Sequence, residues 1–240
     1  MKIFNIGMHK TATCSTNRLL QEAGVNSIHS CRNPIKVAKT YDAISDGFHV
    51  DQFHKYYKAY PRSLFLLNTR PMDEWIMSRL KHGCNERFQR VHANYYLGGM
   101  NYHFKPKQKG SEGWPPSLEL MEDWVLTRQY HHEKIFDFFA NMPDRLLVCN
   151  INREGWQKEI LEFVRCHFDH NIDPDNFQER KRNVRTFERS ELLPQYDTKE
   201  QQTQTFKDAI INLHKYIDYD GKELLFPQSY KHRHSFFTYL

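Results

Sequence analysis

Residues 2–20, KIFNIGMHKTATCSTNRLL, decide the fold when read with residues 64–78, LFLLNTRPMDEWIMS. The first stretch is a short apolar strand, then a turn rich in Lys, Thr and Ser, then a helix. The second is a continuous apolar strand that ends at Arg70 and leads into a helix carrying Ser78. A strand that feeds a helix N-terminus makes an anion site, because backbone N–H groups without intrahelical partners and the positive end of the helix dipole point the same way. Two such sites on one sheet predict a ligand with phosphate at both ends.

The loop narrows the choice of ligand. The common nucleotide phosphate loop, GxxxxGK[ST], places its Lys late and uses Ser or Thr for magnesium. Here the order is Gly7, Met8, His9, Lys10, Thr11, Ala12, Thr13, with an early Lys and no second Gly before it. That order disfavours an ATP or GTP loop, and a dinucleotide GxGxxG is absent. One ammonium and several hydroxyls (Thr11, Thr13, Ser15, Thr16) suit a phosphate or phosphosulfate whose charge is met without a metal.

Residues 9–16 resemble the phosphosulfate loop of sulfotransferases that use 3′-phosphoadenosine 5′-phosphosulfate (PAPS), written PKTGTTSL or HKTGTTSL. The pair Arg70 and Ser78, eight residues apart, resembles the 3′-phosphate site of the same family. The stretch DRLLVCNINREGWQKEILEFV (144–164) is similar to the late strand and Gly-Trp-helix unit of its small, soluble, bacterial-type branch. Together the similarities touch about residues 1–24, 41–82 and 130–185.

The resemblance implies that His9, Lys10, Thr11, Ala12, Thr13, Cys14 and Ser15 hold the 5′ phosphosulfate, with Lys10 also catalytic. It implies that Arg70 and Ser78 hold the 3′-phosphate, closed over by a late basic loop for which Arg180, Asn183 and Arg185 are candidates. The acceptor's proton goes to a base between the loop and the Arg70 strand. In YDAISDGFH (41–49) that base is Asp46, in a turn like the branch's T-D-x-P, or His49, an imidazole suited to neutral pH. Two positions depart from the family pattern. Ala12 replaces a Gly, which fits only a backbone that avoids positive φ. Cys14 replaces a Thr and is a weak donor.

Elsewhere the sequence predicts strands near Asn26–Ser30 and Arg145–Asn150 and helices over Thr13–Ala23, Pro34–Lys39, Val50–Tyr60, Asp73–His82, Leu118–Asn141, Trp156–His167 and Thr198–Tyr216. Gly24 serves as the stop of the first helix. Strands alternating with helices predict an α/β fold. By resemblance this is a three-layer, P-loop-like sulfotransferase fold with a mainly parallel sheet flanked by helices. The 240 residues predict one domain. Within it, residues 85–116 form an acceptor-side segment and lid, and 198–240 a C-terminal helix and tail. Phe88, Tyr95, Tyr96, Tyr102 and Phe104 line an acceptor pocket or pack the core.

Composition limits the partners. A net charge of +5, with both signs spread along the chain, speaks against nucleic acid. Five scattered Cys without a CxxC pair, and no signal peptide, predict reduced thiols in the cytoplasm. No apolar run approaches the ~20 residues of a membrane span. His131-His132-Glu133 does not match HExxH, and adjacent helical residues diverge by about 100°, so no metal site is expected. The expected activity is sulfuryl transfer from PAPS to a hydroxyl or amine of a small-molecule acceptor, releasing PAP. The alternatives are a P-loop-like kinase and a non-catalytic PAP-binding module.

Overall fold

The computed structural model describes residues 1–45, 50–72, 74, 75, 78, 79, 128, 131–167, 172–175 and 177. The chain divides into two compact units, one of residues 1–70, 133–183 and 230–240, the other of 71–132 and 184–229.

The first unit holds a five-stranded sheet with β1 at its centre. The strands are β1 (Ile3–Asn5), β2 (Ser27–His29), β3 (Ala43–Ser45), β4 (Leu64–Thr69) and β5 (Leu146–Asn150), in the order β2-β3-β1-β4-β5. All four pairings are parallel. All six residues of β4 are buried, as expected of an interior strand covered on both faces.

Residue alternation along the strands sorts the sheet into two faces. Ile3, Ala43, Leu64 and Leu66 point toward α1 (Thr13–Glu22) and the helix Trp156–Arg165, and pack with Leu19, Leu20, Trp156, Ile160, Leu161 and Val164. The opposite face is aromatic. Phe4 stacks on Tyr56 at 4.9 Å and on Phe65 at 5.7 Å, and Phe65 meets Phe139 at 4.8 Å. Tyr56 belongs to the helix Phe53–Ala59, and Phe139 to helical residues 131–139. Helices therefore cover both faces, giving the three layers expected.

Local chemistry explains the element ends. After α1, Gly24 takes φ 83°, its N–H bonds to Gln21 O at 3.0 Å, and the Val25 N–H bonds to Leu20 O at 2.9 Å. This paired closure needs a left-handed residue, which Gly supplies. The helix Pro34–Val37 starts with Pro34 at its first position and with Asn33 Oδ1 accepting from the Lys36 N–H.

Two features differ from the sequence expectation. Within YDAISDGFH, Ala43–Ser45 forms an inner strand between β1 and β2. Where the sequence predicts one helix over Val50–Tyr60, a 3-10 turn at Val50–Gln52 leads into the helix Phe53–Ala59, whose Tyr56 is the buried ring against Phe4.

In the second unit, Trp75 is buried and the guanidinium groups of Arg79 and Arg128 lie 5.0 and 5.1 Å from its ring centroid. Arg128 Nη1 also donates to Met72 Sδ. Among the described residues no helix is long and apolar enough to cross a membrane.

Candidate active site

The strand order creates the site. From β1 the chain runs toward β3 and β2, and from β4 it runs toward β5, so connections leave adjacent strands in opposite directions. In open parallel sheets, ligands bind outside the carboxyl ends of strands at such a divergence. The loop carrying Lys10 follows β1 and Arg70 follows β4.

Backbone geometry shapes the loop. A β-carbon on Gly7 would lie 2.8 Å from Asn68 O, 2.9 Å from Thr11 Oγ1 and 3.0 Å from Asn68 N. Only glycine lets the loop leave β1 this close to β4. Asn5 Oδ1 accepts the Gly7 N–H at 3.0 Å, and Thr11 Oγ1 donates to Met8 O at 2.6 Å. From the β4 side, Asn68 Nδ2 donates to Thr11 O at 3.1 Å and to Thr16 Oγ1 at 2.6 Å. Arg70 Nη1 donates to Lys10 O at 3.3 Å. A guanidinium has five N–H donors, so this bond is compatible with phosphate binding by the same side chain.

The helix that follows is open to an anion. α1 has no side-chain cap and no acidic residue in its first turn. Its first N–H groups have no partner within the helix, while Thr16 N already bonds to Ala12 O at 2.9 Å. Thr13 opens the helix, and its Oγ1 lies 3.4 Å from His29 Nε2. Lys10 and Ala12 both adopt left-handed backbone, with φ 72° and 59°. Ala12 thus takes the conformation that the family's Gly would accept freely.

Of the sequence candidates, the structure brings His9, Lys10, Thr11, Ala12, Thr13, Cys14, Ser15 and Arg70 to the divergence between β1 and β4. Thr11 shapes the loop with its side chain, since its hydroxyl hydrogen goes to Met8 O and the residue is fully buried. Ser78 is helical and half-buried, in the second unit. Asp46, His49, Phe88, Tyr95, Tyr96, Tyr102, Phe104, Arg180, Asn183 and Arg185 lie outside the described residues, as do residues 85–116 and 198–240. Asn68 and His29 escape the sequence reading. Asn68 left a trace, an amide directly after the four apolar residues that open β4. His29, in a three-residue strand, left none. Among the described residues no group of three or more His, Cys, Asp or Glu side chains is placed to hold a metal ion.

Fold and loop together define a parallel α/β protein with an anion cradle at its strand divergence. Residues 32–171, more than half of the chain, match the family described as sulfotransferase domain. The chain belongs to the sulfotransferase family, a family of sulfuryl transferases. The matched stretch contains β3, β4, β5, Arg70 and Ser78, while the loop at residues 7–16 precedes it. A search of curated proteins gives no match.

Proposed function

We propose that this protein transfers a sulfuryl group from PAPS to a hydroxyl or amine of a small-molecule acceptor in the cytoplasm, its two compact units serving one activity. The observation that carries this reading is the junction of the β1–α1 loop with the end of β4, where Arg70 Nη1 meets Lys10 O at 3.3 Å, in a chain of the sulfotransferase family.

The residues present fit a phosphosulfate. The cradle excludes a β-carbon at Gly7, leaves the first turn of α1 without a carboxylate, and sets Lys10 in the loop. When bound, PAPS supplies the sulfuryl group and a phosphate leaving group. The first-turn N–H groups of α1, with Thr13 and Ser15, hold the 5′ end. Lys10 offsets the charge that develops on the leaving phosphate, a preorganised electrostatic role. Arg70 takes the 3′-phosphate with Ser78, helped by Arg180, Asn183 and Arg185. A base that follows β3 in the chain, Asp46 or His49, removes the acceptor's proton. Support for that region comes from β3 itself, whose last residue Ser45 is the register partner of Asn5, two positions before Gly7.

Thermal unfolding with PAP, run beside ATP–Mg²⁺, tests the donor. At about 100 times its dissociation constant PAP should add ~2.7 kcal/mol. Stabilisation by ATP–Mg²⁺ alone would overturn the reading in favour of phosphoryl transfer. PAP binding without turnover of PAPS on any hydroxyl or amine acceptor would leave a nucleotide-binding module. In a turnover assay, Lys10→Ala should lower the rate about 100-fold or more, the scale of removing one preorganised donor, with little change in melting temperature.

A further inference from the structure

The sheet places one polar row under the start of α1. His29, Ser45 and Asn5 are register partners across β2, β3 and β1. They share the face that Ile3, Ala43 and Leu64 turn toward α1, because each lies two residues after a residue of that face or of its register row. Asn5 holds the start of the loop through Gly7 N–H, and His29 reaches the start of α1, with Nε2 3.4 Å from Thr13 Oγ1. Ser45 Oγ and Asn5 Nδ2 are buried and have no hydrogen-bond partner among the described residues. A row with open polar valence beside an anion loop is unlike a finished core.

Backbone strain converges on the same contact. The described non-glycine residues with positive φ are Lys10, Ala12 and Ser30. Two flank Thr11 in the loop, and the third directly follows His29. Ser30 is held there by its N–H bond to Ser45 O at 2.9 Å. Residues kept in such conformations cluster where the surroundings over-determine a functional geometry.

We propose that His29 is a positioning residue for the donor site: it donates Nε2–H to Thr13 Oγ1 and so turns the threonine's own hydrogen toward the phosphosulfate. A hydroxyl has one hydrogen and two lone pairs. If the imidazole supplies the hydrogen between His29 and Thr13, the Thr13 hydrogen goes to the anion. If the ring instead accepts, that hydrogen is withdrawn from the site. The inference rests on the PAPS reading above and assigns His29 no proton transfer to or from the acceptor.

Calorimetric titration with PAP tests it on wild type, His29→Leu, His29→Gln, Thr13→Val and the double variant His29→Leu/Thr13→Val. Ligand-free melting of each checks the fold. His29→Leu should weaken PAP about ten-fold, the scale of one hydrogen bond to a charged group. His29→Gln, whose amide still donates, should stay near wild type. The double variant should bind no more weakly than Thr13→Val, since coupled partners are non-additive. In turnover assays, His29→Leu should raise the KM for PAPS and leave kcat at saturation intact.

Equal PAP affinity in wild type and His29→Leu overturns the proposal, as does an additive loss in the double variant. Lost turnover with unchanged PAP affinity also overturns it and moves His29 to the acceptor side. A wild-type protein that does not bind PAP refutes the donor reading itself, which is a different result from wild-type binding with an indifferent His29.

Discussion

Ala12 sits at φ 59° and ψ 26° at the N-cap of α1, where a β-carbon crowds the following carbonyl at a cost of about 1–2 kcal/mol. Glycine escapes that crowding but loses more backbone freedom on folding, by roughly 0.5–1 kcal/mol. Ala12→Gly should therefore raise stability by up to ~1 kcal/mol, read from the denaturant midpoint at unchanged slope. A fall in stability instead would refute the left-handed assignment. The conformation at residue 12 was not legible in the sequence, since alanine favours right-handed backbone and only the chain's path between β1 and α1 imposes the alternative. The placement of Lys10 in a loop between β1 and α1 was legible, because an apolar strand, a polar turn and a helix follow one another in residues 2–20. His29 was not, because its meaning comes from a register with Ser45 and Asn5 that no local pattern encodes.

At the scale of elements, β4 acts as a clamp on the loop. Asn68 is fully buried and its amide spans Thr11 O and Thr16 Oγ1. Asn68→Leu should cost about 1–3 kcal/mol, because the Thr11 carbonyl is left inside without its donor, and should weaken PAP at the same time. Denaturant unfolding and titration on one sample check both. Loss of stability with PAP affinity retained would mean that the loop keeps its shape without β4. The long apolar runs of β4 and β5 announced themselves in the sequence, as did the Schellman closure at Gly24. β3 did not, since three residues between Asp42 and Asp46 carry too little pattern to separate a strand from a passing loop. Its place inside the sheet is fixed instead by pairing on both sides.

For the whole molecule, burial divides the thiols. Cys149 is fully buried and Cys31 nearly so, while Cys14 is half-buried and Cys166 exposed. Burial pushes the Cys149 thiol well above its ordinary value, with Glu159 nearby adding to the effect and Arg153 opposing it. Among the four thiols of the described residues, alkylation of the folded protein should therefore mark Cys166 first, then Cys14, and reach Cys31 and Cys149 only on unfolding. Bound PAP should slow Cys14 and leave Cys166 unchanged, as peptide mass mapping would show. Slowing at Cys166 alone would place the nucleotide away from α1.

The Tyr56 hydroxyl is likewise pushed up, by burial first and then by Asp51 and Cys31. Both groups keep their protons when folded at pH values where the unfolded chain loses them. Above the ordinary values of 9.0 for the thiol and 10.0 for the phenol, the native state binds more protons than the unfolded one, so stability falls as pH rises. Denaturation from pH 8 upward should show that decline, and Cys149→Ala should remove its earlier part. An identical decline in the variant would assign it elsewhere.

The order β2-β3-β1-β4-β5 also bears on synthesis. β1 emerges from the ribosome well before its neighbours β3 and β4, so the central strand waits with both edges bare for about 40 further residues, and with one edge bare until about 60 have been made. Unpaired edges template pairing with other chains, and parallel pairings across such separations form slowly. The loop proposed to hold the donor takes its shape only once Asn68 and Arg70 have left the exit tunnel, so on that proposal donor binding is a late event in the life of the nascent chain.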